Sequence, residues 1–350
     1  MKIAVLFRPS NSVGSSNEAL NIVRHRPDIF IPVSNSSIGG KPGVHEVETL
    51  FGSPMYYPLA SLKHGLNALD KKIGLDGILI CTVGGELYGA LPWMLGRWPI
   101  VWRFNVNPLE HTFDPGMTEH VPQVLQTLAR VDAVVPCSPF VEDNLKALGI
   151  LNSTTIPTCL NTEECPLAKP TSDAVVSLTR ISPIKNLLYS ILAMNMVVNE
   201  IPTATYSIYG SGDLAGAVQN WLMNLNEPRI AYFGFAPAER VLPKAKLFLQ
   251  LSISENFSLS VLEAMAHGVP VVASNIPGHA MGTVYFDSIK EIVDEVKLLL
   301  TDDEVWQARR EIGLEKVKDY DVRKVVPQWV KLFEKLMKLN SLKKESGRSW

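Results

Sequence analysis

Short apolar runs that are typical of buried strands alternate with helical patterns along the whole chain. In the first half these runs lie at 2–7, 29–32, 77–81, 100–104, 133–136 and 154–157. In the second half they lie at 174–178, 204–209, 230–233, 247–251 and 269–273. Strands that alternate with helices form parallel sheets with helices on both faces. The pattern therefore predicts an α/β protein made of two Rossmann-like halves.

The length of 350 residues exceeds what one ordinary core fills, which favours two domains. We predict a first domain over residues 1–160, a linker over the turn-rich residues 161–173, and a second domain over 174–320. A helical stripe of apolar residues predicts a final helix in 321–350, followed by a basic tail. Because ligands of such folds bind at the carboxyl ends of the strands, we expect the two sheets to face a binding cleft.

Composition argues against several classes of protein. The net charge of −2 gives no electrostatic case for a nucleic-acid partner. The apolar part of the first ten residues is too short for a signal peptide, and no apolar run reaches the length of a membrane span. The four cysteines lack zinc-type spacing, so we expect reduced thiols and a cytoplasmic location; they are Cys81, Cys137, Cys159 and Cys165.

The segment 252–274, SISENFSLSVLEAMAHGVPVVAS, carries the most chemical information. Glu255 and Glu263 flank a loop that turns into a helix, with Ser258 as the expected N-cap and Gly268 at the helix end. A helix start offers free backbone N–H groups and a positive dipole end, which favour a phosphate. A carboxylate can accept two hydrogen bonds at once, which suits a sugar diol. The segment therefore predicts a nucleotide-sugar site.

This segment resembles the signature of the retaining glycosyltransferases of family 4, which have the GT-B fold of two Rossmann-like domains. The resemblance also implies that the final helix, within 321–350, crosses back to the first domain. The positions that match are Ser252, Glu255, Phe257, Glu263, Ala264, Met265, Ala266, Gly268, Pro270, Val271, Val272, Ala273 and Ser274. The chain departs from the family at Asn256 and Ser258, where glycine is usual. Asparagine tolerates a positive φ better than most residues, so the turn can survive.

The loop 179–186, TRISPIKN, resembles the family's G-R-x-x-x-x-K-N loop, with Thr179 in place of glycine. The resemblance implies that Arg180 and Lys185 hold the donor diphosphate. These cations would also stabilise the charge that develops on the leaving group, a role that normally falls to a metal. We therefore expect turnover that requires no metal and no other cofactor. The alternative is a solvated loop with two surface cations.

The resemblance also implies roles for residues that follow other strands. Glu255 is expected at the donor sugar hydroxyls and Glu263 at the ribose diol. The backbone N–H groups of Phe257, Ser258 and Leu259 would meet the distal phosphate. Two further turns, Tyr209-Gly210-Ser211-Gly212-Asp213 and Phe233-Gly234-Phe235, resemble those that lie near the base, which makes Gly210 and Gly234 expected donor-binding positions.

The first half matches the family less well. Gly14, within residues 12–16, is the best candidate for the Gly-rich loop that approaches donor and acceptor. The family often has His-Asp after the strand that lies at 100–104, whereas this chain has Asn105 there and His111 a few residues later. His111 either replaces the missing histidine or is an ordinary loop residue.

The leading hypothesis is a retaining hexosyltransferase that moves a sugar from a nucleoside-diphosphate sugar to a glycan, lipid-linked or small-molecule acceptor. One alternative is a sugar-nucleotide 2-epimerase. Another is a catalytically degenerate GT-B scaffold protein, which the departures at Thr179, Asn256, Ser258 and Asn105 keep open. Three tryptophans and the basic tail raise the further hypothesis of peripheral membrane contact, with core packing as the default; they are Trp93, Trp98 and Trp102.

Overall fold

The computed structural model describes residues 1–7, 14–34, 45–46, 59–81, 91–105, 121–284 and 288–345. The chain divides into two compact units. The first unit joins Met1–Cys159 to Val322–Trp350, and the second unit is Leu160–Asp321.

The first unit is built on a six-stranded parallel sheet with the order β3-β2-β1-β4-β5-β6. Its strands are β1 (Ile3–Leu6), β2 (Phe30–Ser34), β3 (His45–Glu46), β4 (Gly77–Ile80), β5 (Ile100–Phe104) and β6 (Ala133–Pro136). Every residue of β1, β4, β5 and β6 is buried. Strands that are buried along their whole length form sheets that are covered on both faces.

Helices cover this sheet, and the last helix of the chain is one of them. Those whose bounds lie within the described residues include α1 (Gly14–His25), α2 (Leu59–Ile73), α3 (Val121–Leu128) and α4 (Pro139–Ala147). The C-terminal helix (Val322–Glu345) buries Trp329 and Phe333 in the core of the first unit. A Cβ atom at Gly77 would lie 2.9 Å from the Phe333 ring, so the ring packs against the start of β4 only because that residue is glycine.

The second unit has a five-stranded parallel sheet with the order β11-β10-β7-β8-β9. Its strands are β7 (Ala174–Leu178), β8 (Thr205–Tyr209), β9 (Ile230–Tyr232), β10 (Leu247–Gln250) and β11 (Val271–Ala273). Its helices are α5 (Leu187–Glu200), α6 (Ala215–Leu225), α7 (Ala238–Val241), α8 (Leu259–Ala266), α9 (Ile289–Thr301) and α10 (Asp303–Val317). Two apolar clusters fill the space between the sheet and these helices. The predicted α/β class with two parallel sheets is confirmed.

Two predicted features differ from the structure. The segment 161–173, predicted as a linker, groups with the second unit and bonds to it, with Ala168 N–H donating to the His267 carbonyl at 2.7 Å. Arg310 adds a hydrogen bond to the Ala168 carbonyl at 3.0 Å. The predicted strand at 154–157 does not form, because this part of the backbone joins β6 only through an isolated bridge between Val134 and Ser153. The two bonds of that bridge run from Val134 N–H to the Asn152 carbonyl and from Thr154 N–H to the Val134 carbonyl, each at 3.0 Å.

Candidate functional site

Five loops of the second unit lie at the carboxyl edge of its sheet. They follow β7, β8, β9, β10 and β11 and contain the residues 179–186, 210–214, 233–237, 251–258 and 274–282. Parallel strands end at a common edge of the sheet. The two loops that carry the sequence motifs, 179–186 and 251–258, therefore lie at the same edge, and we call them the motif loops. Ile253 N–H donates to the Ile184 carbonyl at 2.8 Å, which joins the two motif loops directly.

The Glu255 carboxylate has three side-chain partners at this edge. Its Oε1 atom accepts hydrogen bonds from Gln250 Nε2 and Ser252 Oγ, each at 2.7 Å, and forms an ion pair with Lys185. The Lys185 side chain is only 14% exposed and that of Glu255 10%, so the pair is largely shielded from water. No described residue bonds to Oε2, which leaves that oxygen available to a ligand hydroxyl.

Arg180 and Lys185 were both predicted to hold a diphosphate, and the structure gives them different surroundings. Lys185 ends a 3₁₀ turn (Pro183–Lys185) and is engaged by Glu255. Asn186 follows in the left-handed region with φ of 51°, a conformation that asparagine tolerates, and α5 begins after it. The Arg180 side chain is exposed, and no side chain of the described residues pairs with it.

Glu263 lies on α8 and has no hydrogen-bonding or ionic partner in the described part of the chain. Burial raises the pKa of its carboxyl to about 7, and the nearby Glu239 carboxylate acts in the same direction. A carboxyl placed without a partner carries a cost that a structural role does not require. Acids in this condition are frequent at binding sites.

The start of α8 provides part of the predicted phosphate site. Ser258 is the N-cap, with its Oγ accepting from Val261 N–H at 3.4 Å. The Ser258 N–H itself donates to the Gly278 carbonyl at 2.8 Å and is therefore occupied. The N–H groups of Phe257 and Leu259 bond to no described residue. They remain available at the positive end of the helix.

The turn after β8 contains Gly210 and Gly212, which no other residue can replace without strain. Gly210 has φ of 147°, and a Cβ there would lie 1.7 Å from the Thr179 carbonyl oxygen. Gly210 N–H donates to the Gly234 carbonyl at 2.8 Å, so the turns after β8 and β9 are bonded together. Tyr209 and Phe233 stack beside them with ring centroids 5.3 Å apart, and Phe233 is 59% exposed.

The first unit contributes less to a site that can be described. Gly14 is the first residue of α1, and His111 lies outside the described residues. Asn105 donates to Glu18 at 3.3 Å. The sequence analysis missed a fully buried ion pair, in which Arg103 donates to both Glu18 oxygens at 3.0 and 2.5 Å. Arg103 also bonds to the Thr158 hydroxyl at 2.9 Å and so ties β5 to the segment that leaves this unit.

Three other expectations concern metals, thiols and tryptophans. In the part of the chain that the structure describes, no three His, Cys, Asp or Glu side chains gather as a metal site needs. Two carboxylates in an Asp-x-Asp tripeptide can bind a metal, and the sequence contains one such tripeptide, at 319–321. Its Asp321 is buried and accepts a hydrogen bond from Thr162 N–H. Cys81, Cys137 and Cys159 are buried, and Cys165 is half-buried.

The tryptophans do not form an exposed group. Trp102 and Trp98 are 0% and 4% exposed and belong to the core, which argues against membrane contact through them. Trp93 is half-buried, and the Arg97 guanidinium lies 4.6 Å from its ring centroid. No helix among the described residues is long and apolar enough to cross a membrane.

The sequence of the second unit matches a known protein family. Residues 172–302 match the family model of the glycosyl transferases group 1. This stretch contains both motif loops and all five strands of the second sheet. The resemblance to glycosyltransferases is therefore confirmed for this part of the chain.

Two curated proteins show how far the likeness extends. An uncharacterized glycosyltransferase of Haemophilus influenzae is 22% identical over 351 aligned residues, which cover 90% of this chain and 95% of that protein. The GtfA subunit of the UDP-N-acetylglucosamine–peptide N-acetylglucosaminyltransferase of Streptococcus pneumoniae is 26% identical over 105 residues, 30% of this chain. The match spans only 21% of that subunit's length.

Solved structures show the same fold over nearly the whole chain. Anabaena HepE in complex with UDP-glucose superimposes with a TM-score of 0.75 at 17% identity, covering 96% of this chain and 100% of HepE. At this identity the likeness shows the fold alone. It confirms the predicted GT-B class of two Rossmann-like units.

Proposed function

We propose that the protein is a glycosyltransferase whose second unit binds a nucleoside-diphosphate sugar. The observation that carries the proposal is the pair of acids at one sheet edge: Glu255, with one oxygen fixed and one available, and Glu263, with no partner. The family match over this unit and the names of the relatives support it. HepE, which shares the fold, binds UDP-glucose, so a uridine donor is the first to test.

The donor would lie along the loop edge in a definite order. The base would rest near Phe233 and the bonded turns at Gly210 and Gly234. Glu263 would accept hydrogen bonds from the ribose diol, which explains why the fold leaves that carboxyl without a protein partner. Base and ribose thus account for the turns after β8 and β9 and for the acid on α8.

The diphosphate and the sugar would occupy the other end of the edge. The free N–H groups of Phe257 and Leu259 would meet the distal phosphate, with the exposed Arg180 as its counter-charge. The sugar would place a hydroxyl against the open oxygen of Glu255. Lys185 would hold Glu255 and lend charge to the leaving phosphate.

We further propose transfer with retention by a hexosyltransferase mechanism that needs no metal. The attacking hydroxyl would approach on the face that the diphosphate leaves, and the leaving phosphate oxygen would take the proton of that hydroxyl. Arg180, Lys185 and the helix start would stabilise the negative charge that develops on the diphosphate. The acceptor is proposed only as a class, a glycan, lipid-linked or small-molecule hydroxyl.

The direct test compares two alanine variants. Glu263→Ala should mainly weaken donor binding, because the ribose contact is made equally in the ground state and the transition state. Glu255→Ala should mainly lower turnover, because it acts where the bond breaks. Donor affinity by calorimetry and rates of nucleoside-diphosphate release separate the two. Equal and small effects from both changes would contradict the assignment.

The same assay decides between the two alternative functions. A sugar-nucleotide 2-epimerase would convert the donor sugar without any acceptor, and NMR of the product would show it. A scaffold protein with a degenerate site would bind no donor at all.

We also propose that the first unit contacts an anionic membrane surface. The first unit carries 20 Lys and Arg against 15 Asp and Glu, a net +5, whereas the second carries 13 against 20, a net −7. A near-neutral chain with this asymmetry presents a basic unit to a partner. The C-terminal helix adds exposed lysines at 335 and 338 beside Leu339 and Leu342, which are 44% and 52% exposed. Exposed leucines among lysines are typical of helices that lie on anionic lipid.

A further inference from the structure

A cluster of buried polar side chains lies behind Glu255. Gln250 is 4% exposed and His279 is 7% exposed, although burying an amide or an imidazole is costly unless each is hydrogen-bonded. Gln250 is the last residue of β10, and His279 follows β11 in the next loop. These strands are neighbours in register, so the sheet brings together two residues that the sequence separates. Neither residue belongs to the motifs that identify the site.

The hydrogen bonds of His279 determine which ring nitrogen carries the proton. Nδ1 lies 2.8 Å from the Ser274 carbonyl oxygen, which can only accept, so Nδ1 carries the hydrogen. In the neutral ring Nε2 then has a lone pair, and it lies 3.2 Å from Gln250 Nε2. Burial lowers the pKa of His279 and favours this neutral form, while the Ser274 bond and the Glu255 charge oppose the shift and Lys185 adds to it.

The orientation of the Gln250 amide follows from its neighbours. Its nitrogen faces Glu255 Oε1 at 2.7 Å and His279 Nε2 at 3.2 Å, and both atoms can only accept. One amide hydrogen bonds to Glu255, and the other faces Ser258 Oγ at 2.8 Å and His279 Nε2. Ser252 Oγ also lies 3.2 Å from the amide nitrogen. The amide oxygen is buried and bonds to no described residue. Turning the amide over would place that oxygen against the carboxylate, so His279 and Glu255 together fix the orientation.

We propose that Gln250 and His279 are positioning residues that hold the Glu255 carboxylate in the orientation needed for sugar transfer. The chain of bonds runs from the Ser274 carbonyl through the His279 ring and the Gln250 amide to Glu255 Oε1. It fixes one carboxylate oxygen from behind while Lys185 and Ser252 hold it from other sides. The catalytic part of this inference rests on the proposed function.

The arrangement makes turnover sensitive to acid. Protonation of His279 would give Nε2 a hydrogen that faces the Gln250 amide hydrogens, and two donors cannot bond. The amide must then turn, and its nitrogen leaves Glu255. The charged groups that face His279 are Glu255 and Lys185, which pair with each other. Activity should therefore fall on the acid side as His279 gains a proton.

Two substitutions at His279 separate positioning from packing. His279→Gln keeps an acceptor near the place of Nε2, whereas His279→Leu keeps the bulk and removes the acceptor. His267 provides a control for kcat, because it is also buried in the second unit and its Nδ1 also lies 2.9 Å from a backbone carbonyl oxygen. That carbonyl belongs to Glu263, whose side chain we assign to donor binding, so the comparison uses kcat and not donor KM. Its Nε2 bonds to no described residue. His267→Leu and His267→Gln thus change a comparable ring without touching Glu255.

The readout is nucleoside-diphosphate release from the sugar nucleotide that a donor panel selects, measured from pH 5 to pH 9. We expect His279→Leu to lower kcat by roughly 10- to 100-fold, as a misplaced catalytic group does. Donor KM should change little, the control variants should keep the wild-type kcat, and His279→Gln should recover activity and lose the acid limb. A kcat for His279→Leu equal to that of His267→Leu, or an unchanged acid limb in His279→Gln, would overturn the proposal.

A measurement without turnover keeps this inference separate from the proposed function. Nitrogen-15 NMR of histidine-labelled protein reports the tautomer of His279, assigned through the His279→Gln variant. We expect protonated Nδ1 and bare Nε2 in the wild type, and a change in the Nε2 signal in Gln250→Leu. Protonated Nε2 would overturn the positioning chain, whatever the enzyme assay shows. Absence of release with every donor would instead overturn the proposed function.

Discussion

Glu263 lowers the stability of the folded protein at high pH, although we assign its carboxylate to donor binding. Its carboxyl lies on α8 without a partner, and burial together with Glu239 raises its pKa to about 7 from 4.5. Between about pH 4.5 and pH 7, the Glu263 carboxyl is therefore protonated in the folded protein and ionised in the unfolded chain. Its contribution to stability is present below pH 4.5, declines as the pH rises through 7, and is lost at higher pH.

Glu263→Gln should raise the free energy of unfolding at high pH and weaken nucleotide binding. A shift of this size corresponds to about 3 kcal/mol. Because the Glu263 side chain is only half-buried, solvent reduces the expected gain in stability to the order of 1 kcal/mol. We expect Glu263→Gln to be more stable than the wild type at pH 8 and equally stable at pH 4, in urea unfolding. The same variant should bind nucleotide more weakly at pH 8. Equal stability of the two proteins at both pH values would contradict the account.

The two cations of the 179–186 loop should respond differently to truncation. Arg180→Ala removes an exposed side chain with no described partner, so stability should change by less than about 0.5 kcal/mol while nucleotide binding weakens. Lys185→Ala removes the ionic partner of a shielded carboxylate and should cost about 1–3 kcal/mol. Thermal unfolding and nucleotide titration of both variants test this. Similar losses of stability in both would show that Lys185 does not support Glu255.

At the scale of elements, the motif loops could be predicted and the cluster behind them could not. The strands at 100–104, 133–136 and 174–178 have the predicted bounds, because apolar runs of that length between turn residues suit a buried parallel strand. Helix α10 was not predicted. Of its 15 residues only Gly313 and Val317 are buried. The helix therefore lacks the periodic apolar residues from which a helix is predicted.

The residues that position Glu255 escaped prediction for another reason. Gln250 and His279 meet only because β10 and β11 are neighbours in the sheet. The same holds for Arg103 and Glu18, which are 85 positions apart in the sequence. Periodicity and motif spacing describe local structure, whereas such pairs depend on the strand order. Gln250 and Arg103 are marked in the sequence only as polar residues inside apolar runs.

The loop after β11 offers a sharp test at the element scale. A Cβ at Gly278 would lie 1.8 Å from the Glu255 carbonyl oxygen, so Gly278→Ala must displace one of the two loops. We expect a large loss of kcat together with a loss of stability in thermal unfolding. Gly216 lies on the exposed side of α6 with open space around it, so Gly216→Ala should stabilise by about 0.5–1 kcal/mol and keep kcat. Wild-type kcat in Gly278→Ala would contradict the close packing of this loop on Glu255.

At the scale of the whole molecule, the separation of charge between the units is the main feature. We expect binding to vesicles that contain anionic lipid, lost on raising the salt and absent with neutral lipid. Reversing Lys335 and Lys338 to glutamate should weaken that binding. Reversing the exposed Lys244 and Lys316 of the second unit changes the net charge equally and should not. Vesicle sedimentation measures all three proteins, and failure of the wild type to sediment with anionic vesicles at low salt would end the membrane proposal.

The central claim is that the second unit binds a nucleoside diphosphate through Glu263, the start of α8 and Arg180. The most direct measurement is thermal unfolding during titration with UDP, GDP and ADP, in chelator and without added metal. A ligand at one hundred times its dissociation constant stabilises by about 2.7 kcal/mol. The account predicts a shift with one base only, lost in Arg180→Ala and in Glu263→Ala. No shift with any of the three nucleotides, or an equal shift in the two variants, would contradict it.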